Sequence, residues 1–393
     1  MKNAIAAAAQ KAFAPAVRLR REIHRRPELS GRELATAARV RRELLSVGLS
    51  PKLCCNKTGV VASLKNGKGK TVALRADMDA LPIIEKTGLA FSSVNNGVMH
   101  ACGHDMHTAI LAGAARALAA LRDQWKGTVV FLFQPSEESA PGGAVAMIRE
   151  GAFPSRASAV FGLHVNPEHQ SGTVAIKNGP DYAGVVDFDV VVKGKGGHGA
   201  EPEKAIDPIV AAADMVAGLA KLAKKESSRR DPCIVTVGKI SAGTKYNIIP
   251  EQAYFGGTMR DMSEPHLLSL MRKSKRLMES IARKHKARVE VLFDKSYPPG
   301  FNNPALARRA FRVLSKILGK GRVTWRIKPV MLAEDFSSFQ KKAPGVYFHL
   351  GVRPKNRKKV PGIHTAEFSP DEGAILTGIK VHAAMVMEML GLE

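Results

Sequence analysis

The stretch MHACGHDMH, residues 99–107, packs His100, Cys102, His104 and His107 around one carboxylate, Asp105. Cys102 and His104 are two positions apart, so on an extended or turning backbone their side chains can converge on one point. A thiolate beside a neutral imidazole suits zinc or a similar divalent ion. A buried cysteine at a helix entry flanked by surface histidines is the plainer alternative. Partners from elsewhere in the chain must decide.

Such partners exist. RADMDALP (75–82) places Asp77 and Asp79 directly after an apolar, β-rich run, and FQPSEES (133–139) ends another such run in Glu137 and Glu138. His164 lies in the strand-like segment FGLHVNP, and His364 sits in the late Pro/Gly loop PGIHTAEF. Each has an ordinary reading as a turn aspartate, a surface glutamate or a structural histidine. Together, Asp79, Cys102, His104, Glu137, Glu138, His164 and His364 fall at strand ends or in loops that follow strands. If those strands share one open sheet, the side chains meet at its carboxyl edge. Adjacent glutamates point different ways, so one can ligate while the other faces water. That suffices for a two-metal site, with ions about 3.5–4 Å apart, and an unligated carboxylate beside it.

The elements that would position these groups follow from hydrophobic spacing. Helices are expected at 4–26 and 32–47, with Ser30 as a cap for the second and His24 and Glu28 as polar helix-end residues. Strands at 60–64 and 71–75 precede a helix at 105–122, for which Asp105 is a candidate N-cap. Strands 128–133 and 159–165 follow. From 183 the pattern becomes strand 185–193, helix 207–224, strands 233–240 and 253–261, helix 264–285 and strand 288–293. That order is a split βαβ and reads as an inserted α+β domain. Helix 304–318, strands 323–327 and 345–350 and helix 371–390 return to the α/β pattern. The expected organisation is a catalytic domain in two parts, 1–182 and 298–393, around an insert at 183–297.

Composition narrows the classes. At 393 residues the chain can bury a large core, and 45% hydrophobic with 24% charged residues describes a soluble globular protein. No apolar run is long enough to span a bilayer. The opening MKNAIAAAAQKAF is charged too soon for a signal peptide and reads as the first helix. Four cysteines, two of them adjacent at 54 and 55, do not suggest a disulfide framework. A cytoplasmic location is the expectation. The net charge of +25 would favour anionic partners. The basic residues are nevertheless dispersed, with local densities only at 18–26, 224–230 and 353–359, and no nucleic-acid motif is visible. A solvated basic surface that draws in an anionic substrate fits better than nucleic acid as the main partner.

At this point RADMDALP, MHACGHD, FQPSEE, GLH, GKGGHGA with the DPI that follows, NIIP, GTMRD, AEDF and a late IHT together resemble the M20 metallopeptidase family. The resemblance is to its amidohydrolase branch of hippurate hydrolases, N-acyl-amino-acid amidohydrolases, auxin-conjugate hydrolases and archaeal zinc carboxypeptidases. It runs from HRRPELSG (24–31) to the last helix.

The resemblance implies a zinc-peptidase-like mixed-sheet α/β catalytic domain with an inserted ferredoxin-like lid that also makes a homodimer or tetramer. It implies Cys102, His104, Glu138, His164 and His364 as ligands of two divalent ions, with Cys102 bridging. Zinc is the expected metal, with manganese or cobalt as alternatives. Glu137 would be the general base and Asp79 the carboxylate that steers a ligand. His198 of the lid would stabilise the developing oxyanion, and Asn247 with Arg260 would hold a substrate carboxylate.

The implied reaction is hydrolysis of the amide of N-acyl amino acids or small blocked dipeptides, with carboxypeptidase action on peptides as the alternative. A more remote alternative is a non-catalytic anion or nucleic-acid binder on a peptidase scaffold. In other branches a His ligand stands where this chain has Asp77 and an Asp stands near Cys102, and this replacement marks the amidohydrolase branch. The chain departs from many relatives in two places: the lid loop GAEPEKAIDP lacks a second His near Glu203, and IHTAEF lacks a Ser after its His.

Overall fold

The computed structural model describes residues 1–228, 232–326 and 328–392. The first third comprises α1 (Lys2–Arg25), α2 (Leu34–Leu45), β1 (Lys52–Cys54), β2 (Gly59–Asn66), β3 (Thr71–Asp77), α3 (His104–Ala120), β4 (Gly127–Gln134), α4 (Gly143–Arg149), β5 (Ala157–Gln170) and β6 (Val174–Lys177). The middle comprises β7 (Gly179–Tyr182), β8 (Gly184–Lys193), β9 (Gly197–His198), α5 (Pro208–Glu226), β10 (Cys233–Ala242), β11 (Ile248–Ile249), β12 (Gln252–Asp261), α6 (Glu264–Lys284), β13 (Arg288–Tyr297) and β14 (Gly300–Asn302). The end holds α7 (Pro304–Leu318), β15 (Val323–Arg326), α8 (Phe336–Gln340), β16 (Gly345–Arg353) and α9 (Ala374–Leu390).

Two compact units result. One contains Met1–Gly179, Phe301–Lys328 and Asp335–Glu393; the other contains Pro180–Gly300 and Pro329–Glu334. The larger unit is built on an eight-stranded mixed sheet in the order β1-β2-β4-β3-β5-β16-β6-β15. Its four central strands β4, β3, β5 and β16 are mutually parallel, so their carboxyl ends lie along one edge. Parallel strands buried on both faces need continuous apolar runs, and β16 is buried from Gly345 through Val352. Helix α3 is apolar almost all round and lies buried among α1, α9 and the sheet.

The smaller unit is a four-stranded antiparallel sheet in the order β10-β12-β8-β13, with α5 and α6 contributing to its core. Its elements run strand, helix, strand, strand, helix, strand, the split βαβ order. The short segment 329–334 joins this unit: Ala183 N donates to the carbonyls of Val330 and Leu332.

Several local expectations are corrected. Asp105 does not cap α3, because the helix starts one residue earlier and Gly103 takes the cap position. Asp105 is instead buried against Arg20 and His24, both at 2.9 Å. His24 is therefore no polar helix end; it is fully buried between Asp105 and Glu85. Nor does Ser30 cap α2, since its hydroxyl is used elsewhere, on Asp79. Strand β6 is too short to show an alternation and leaves no spacing signal; the expected strand 323–327 ends in a residue outside those described, as does the basic stretch 224–230 at residues 229 and 230.

Candidate metal centre

Each proposed ligand except Glu138 and His364 is delivered by a buried part of the larger unit. Cys102 Sγ lies 3.3 Å from His164 Nε2 and 3.3 Å from His364 Nε2. His364 Nε2 is also 3.2 Å from Glu138 Oε1, which lies 3.9 Å from His104 Nε2. Cys102 thus belongs to two groups of possible ligands, one with His104 and His164, the other with Glu138 and His364. Glu137 joins His104 and Glu138 in a third, with donor atoms all within 4.8 Å of one another.

The backbone explains how. Gly103 separates the two candidate ligands of MHACGHD at φ +86°, where a Cβ would sit 2.6 Å from Val165 Cγ2. Only glycine takes that left-handed turn against β5 without displacing it. His364 holds φ +62°, a conformation uncommon for a bulky residue and concentrated at functional sites. Its N–H donates to Ala101 O at 2.8 Å, tying the late loop to the early motif.

Asp79 stands behind the candidate ligands. Its Oδ1 lies 3.2 Å from His104 Nδ1, and its Oδ2 accepts from Ser30 Oγ at 2.7 Å and from Glu138 N at 3.0 Å. A carboxylate on Nδ1 keeps a proton there, so that Nε2, once its own proton is displaced, turns a lone pair to the cluster.

Asp77 and His107 form a second support that composition did not single out. Asp77 Oδ1 takes the Nδ1 proton of His107 at 2.6 Å, while His107 Nε2 accepts Val165 N–H at 2.9 Å. Both ring nitrogens of His107 are therefore used. The contact fixes the backbone beside His164, whose Nδ1 donates to Val165 O at 2.8 Å. Arg75 holds Asp77 Oδ2 and Asp335 Oδ1, each at 2.7 Å, and donates to Gln134 at 2.8 Å, joining the ends of β3 and β4 to the start of α8. His100 is buried beside His24 and takes no part in the cluster.

The cluster is electrostatically negative. Burial opposes a charged His104, but Asp77, Asp79 and Glu138 outweigh it and raise the imidazole to about 10. Burial would neutralise Asp77, yet His104, His107 and Arg75 hold it well below the usual carboxylate range. Burial and the neighbouring Glu138 and Glu137 push the Cys102 thiol well up. A site with this field attracts a cation, and a metal ion entering it must displace protons.

In the smaller unit, β9 pairs with β11, setting His198 opposite Ile248, and Gly199 N donates to Asn247 O at 2.9 Å. His198 Nδ1 accepts Ala200 N–H at 3.2 Å, so the ring proton belongs on Nε2. Arg260 lies on β12 and donates to Met331 O at 2.9 Å.

The model for Peptidase family M20/M25/M40 matches residues 73–388. The chain belongs to this family. Thermostable carboxypeptidase 1 of Saccharolobus solfataricus is 38% identical over 95% of this chain and 94% of its own. The N-acetylcysteine deacetylase of Bacillus subtilis is 35% identical over 97% and 99%. Among solved structures, a Bacillus subtilis protein described as a dinuclear metal-binding peptidase of the M20 family superposes with a TM-score of 0.84, at 33% identity over 96% of this chain and 98% of that one. This M20 protein is accordingly an enzyme that hydrolyses amide or peptide bonds with metal ions.

The residues present fit such ions. His104 Nε2 and Glu138 Oε1 are buried without a hydrogen-bond partner among the described residues. Imidazole, thiol and carboxylate donors surround them, a mixture suited to zinc and to its borderline neighbours.

Proposed function

We propose that this enzyme hydrolyses the amide bond of N-acyl amino acids or small blocked dipeptides bearing a free carboxylate. The observation that carries the reading is the placement of Glu137, buried in one group with His104 and Glu138 yet not needed to complete either cluster that shares Cys102. Cys102, His104, Glu138, His164 and His364 would hold two divalent ions, zinc foremost, with manganese or cobalt as alternatives. When bound, the ions supply Lewis-acid charge that makes water a nucleophile near neutral pH and polarises the amide carbonyl.

The chain's own groups do the rest. Glu137 takes a proton from the attacking water and returns it to the leaving amine, while Asp79 keeps His104 in its ligating tautomer. His198, protonated on Nε2, donates to the oxygen on which negative charge develops; such a donor contributes about 3–4 kcal/mol. Arg260 and Asn247 bind the substrate carboxylate, for which a planar guanidinium is suited. Residues 1–182 and 298–393 form the catalytic domain in this reading, and 183–297 the insert through which copies of the chain associate.

Carboxypeptidase action is the second reading, supported by the similarity to the Saccharolobus enzyme. Both cleave beside a free carboxylate. A screen of N-acetyl and N-benzoyl amino acids against dipeptides and longer peptides, with chelator and then with Zn, Mn or Co restored, separates them. Metal-dependent turnover of acyl amino acids is the expected result. Turnover of peptides alone would favour the second reading, and no metal-dependent turnover of either would reject both.

A further inference from the structure

Glu33 is the first residue before α2, and its carboxylate is fully buried. Burying a carboxylate is costly unless donors satisfy it. Here Oε1 accepts the backbone N–H of Gly31 at 3.0 Å and that of Ser136 at 2.8 Å, while Oε2 is buried without a hydrogen-bond partner among the described residues. Ser136 immediately precedes Glu137 and holds φ +54°, a left-handed conformation that non-glycine residues seldom adopt without local support. On the other side, Ser136 O accepts Gly143 N–H at 3.0 Å.

The same N-terminal segment grips the next part of the site. Leu29 bridges Ala80 in parallel pairing, Ala80 N donates to Glu28 O at 2.8 Å, and Ser30 Oγ donates to the Asp79 oxygen that also receives Glu138 N–H. Segment 28–33 therefore clasps both ends of the dipeptide Glu137-Glu138: Glu33 before it, through Ser136, and Ser30 after it, through Asp79.

We infer that Glu33 is a positioning residue for catalysis, holding Ser136 in its left-handed turn so that the Glu137 carboxylate is aimed at the reacting water. The inference rests on the reading of Glu137 as general base. What matters in it is an acceptor oxygen at the right reach, so glutamine should substitute for Glu33 and alanine should not. Misplacing a catalytic group by about 1 Å lowers turnover by roughly 10²-fold.

The test compares Glu33→Ala, Glu33→Gln, Glu33→Asp and Glu137→Gln, each loaded with zinc and assayed on the best acyl amino acid, with bound metal counted by plasma emission. Glu33→Ala should lose about 10²-fold in kcat with KM within about threefold and two ions still bound. Glu33→Gln should keep kcat within about threefold. Glu33→Asp, a methylene shorter, should lose at least tenfold. A Glu33→Ala kcat within threefold of the parent overturns the inference. If Glu33→Ala fails to fold, a Glu33→Gln variant with as little turnover as Glu33→Asp overturns it equally. Should Glu137→Gln remain active, the base assignment is what falls; an inactive Glu137→Gln beside a normal Glu33→Ala removes the inference alone.

Discussion

Cys102 Sγ and His364 Nε2 lie 3.3 Å apart although 262 positions separate them in the chain. Cys102 arrives from the turn before α3, and His364 from the loop after the fourth parallel strand. They meet because both follow carboxyl ends of strands in one sheet. The pair predicts a shared thiolate. Cys102→Ala should lower bound metal by more than one ion per chain, since Cys102 belongs to both ligand groups. His364→Ala should lose at most one. Equal stoichiometry in parent and Cys102→Ala, measured by plasma emission after gel filtration, would remove Cys102 from the ligand set.

His107 should matter without touching the cations. Replacing it with alanine leaves the Asp77 carboxylate and the Val165 N–H buried without their mutual partner. We expect a loss of about 1–3 kcal/mol in stability and a 10–100-fold weaker hold on metal, as for other groups that orient ligands. Competition with a fluorescent chelator measures the second effect; unchanged affinity would show that β5 positions His164 unaided.

Metal uptake should release protons. With His104 raised to about 10, the ring carries a proton at neutral pH that an incoming ion must displace, so affinity should climb as pH rises from about 6 towards 9. Calorimetry in buffers of different ionisation enthalpy counts the protons. A count of zero near pH 7 would mean that His104 is already neutral.

His24 offers a pH signature of stability away from the ligands. Burial lowers it, but Asp105 and Glu85 prevail and raise it to about 9. A group raised in the folded state stabilises fully below its unfolded value of about 6.5, and the contribution fades as pH climbs through about 9. The span corresponds to roughly 3 kcal/mol. His24→Gln should therefore differ most from the parent at about pH 6 and little near pH 10 in denaturant unfolding. An equal gap at both ends would show that His24 is uncharged.

The clustered motifs and the βαββαβ order of the smaller unit were readable because each leaves a local trace: a soft ligand beside a hard one, or a switch from period 2 to period 3.6. Support for the cluster was not. Glu33 looks like any acidic residue at the start of a helix, and Ser30 like a cap, because nothing nearby in sequence tells that their partners are Ser136 and Asp79. Asp77 reads as a turn aspartate until Arg75 and His107 are seen on its two oxygens. His24 looks like a surface residue for the same reason, its carboxylates being 61 and 81 positions away. Spacing exposes groups that share an element. Groups that meet only after the sheet forms stay hidden.

The substrate contacts proposed for the smaller unit can be examined singly. His198→Ala should depress kcat more than it raises KM, because an oxyanion donor acts mainly in the transition state. A change in KM alone would make His198 a binding residue.

The most direct measurement is turnover of the Glu137→Gln variant with its metal content determined on the same sample. Two ions should remain bound while kcat falls by at least 10³-fold. A variant that keeps its ions and more than a few per cent of parental turnover would contradict the account, because another group would then be moving the proton.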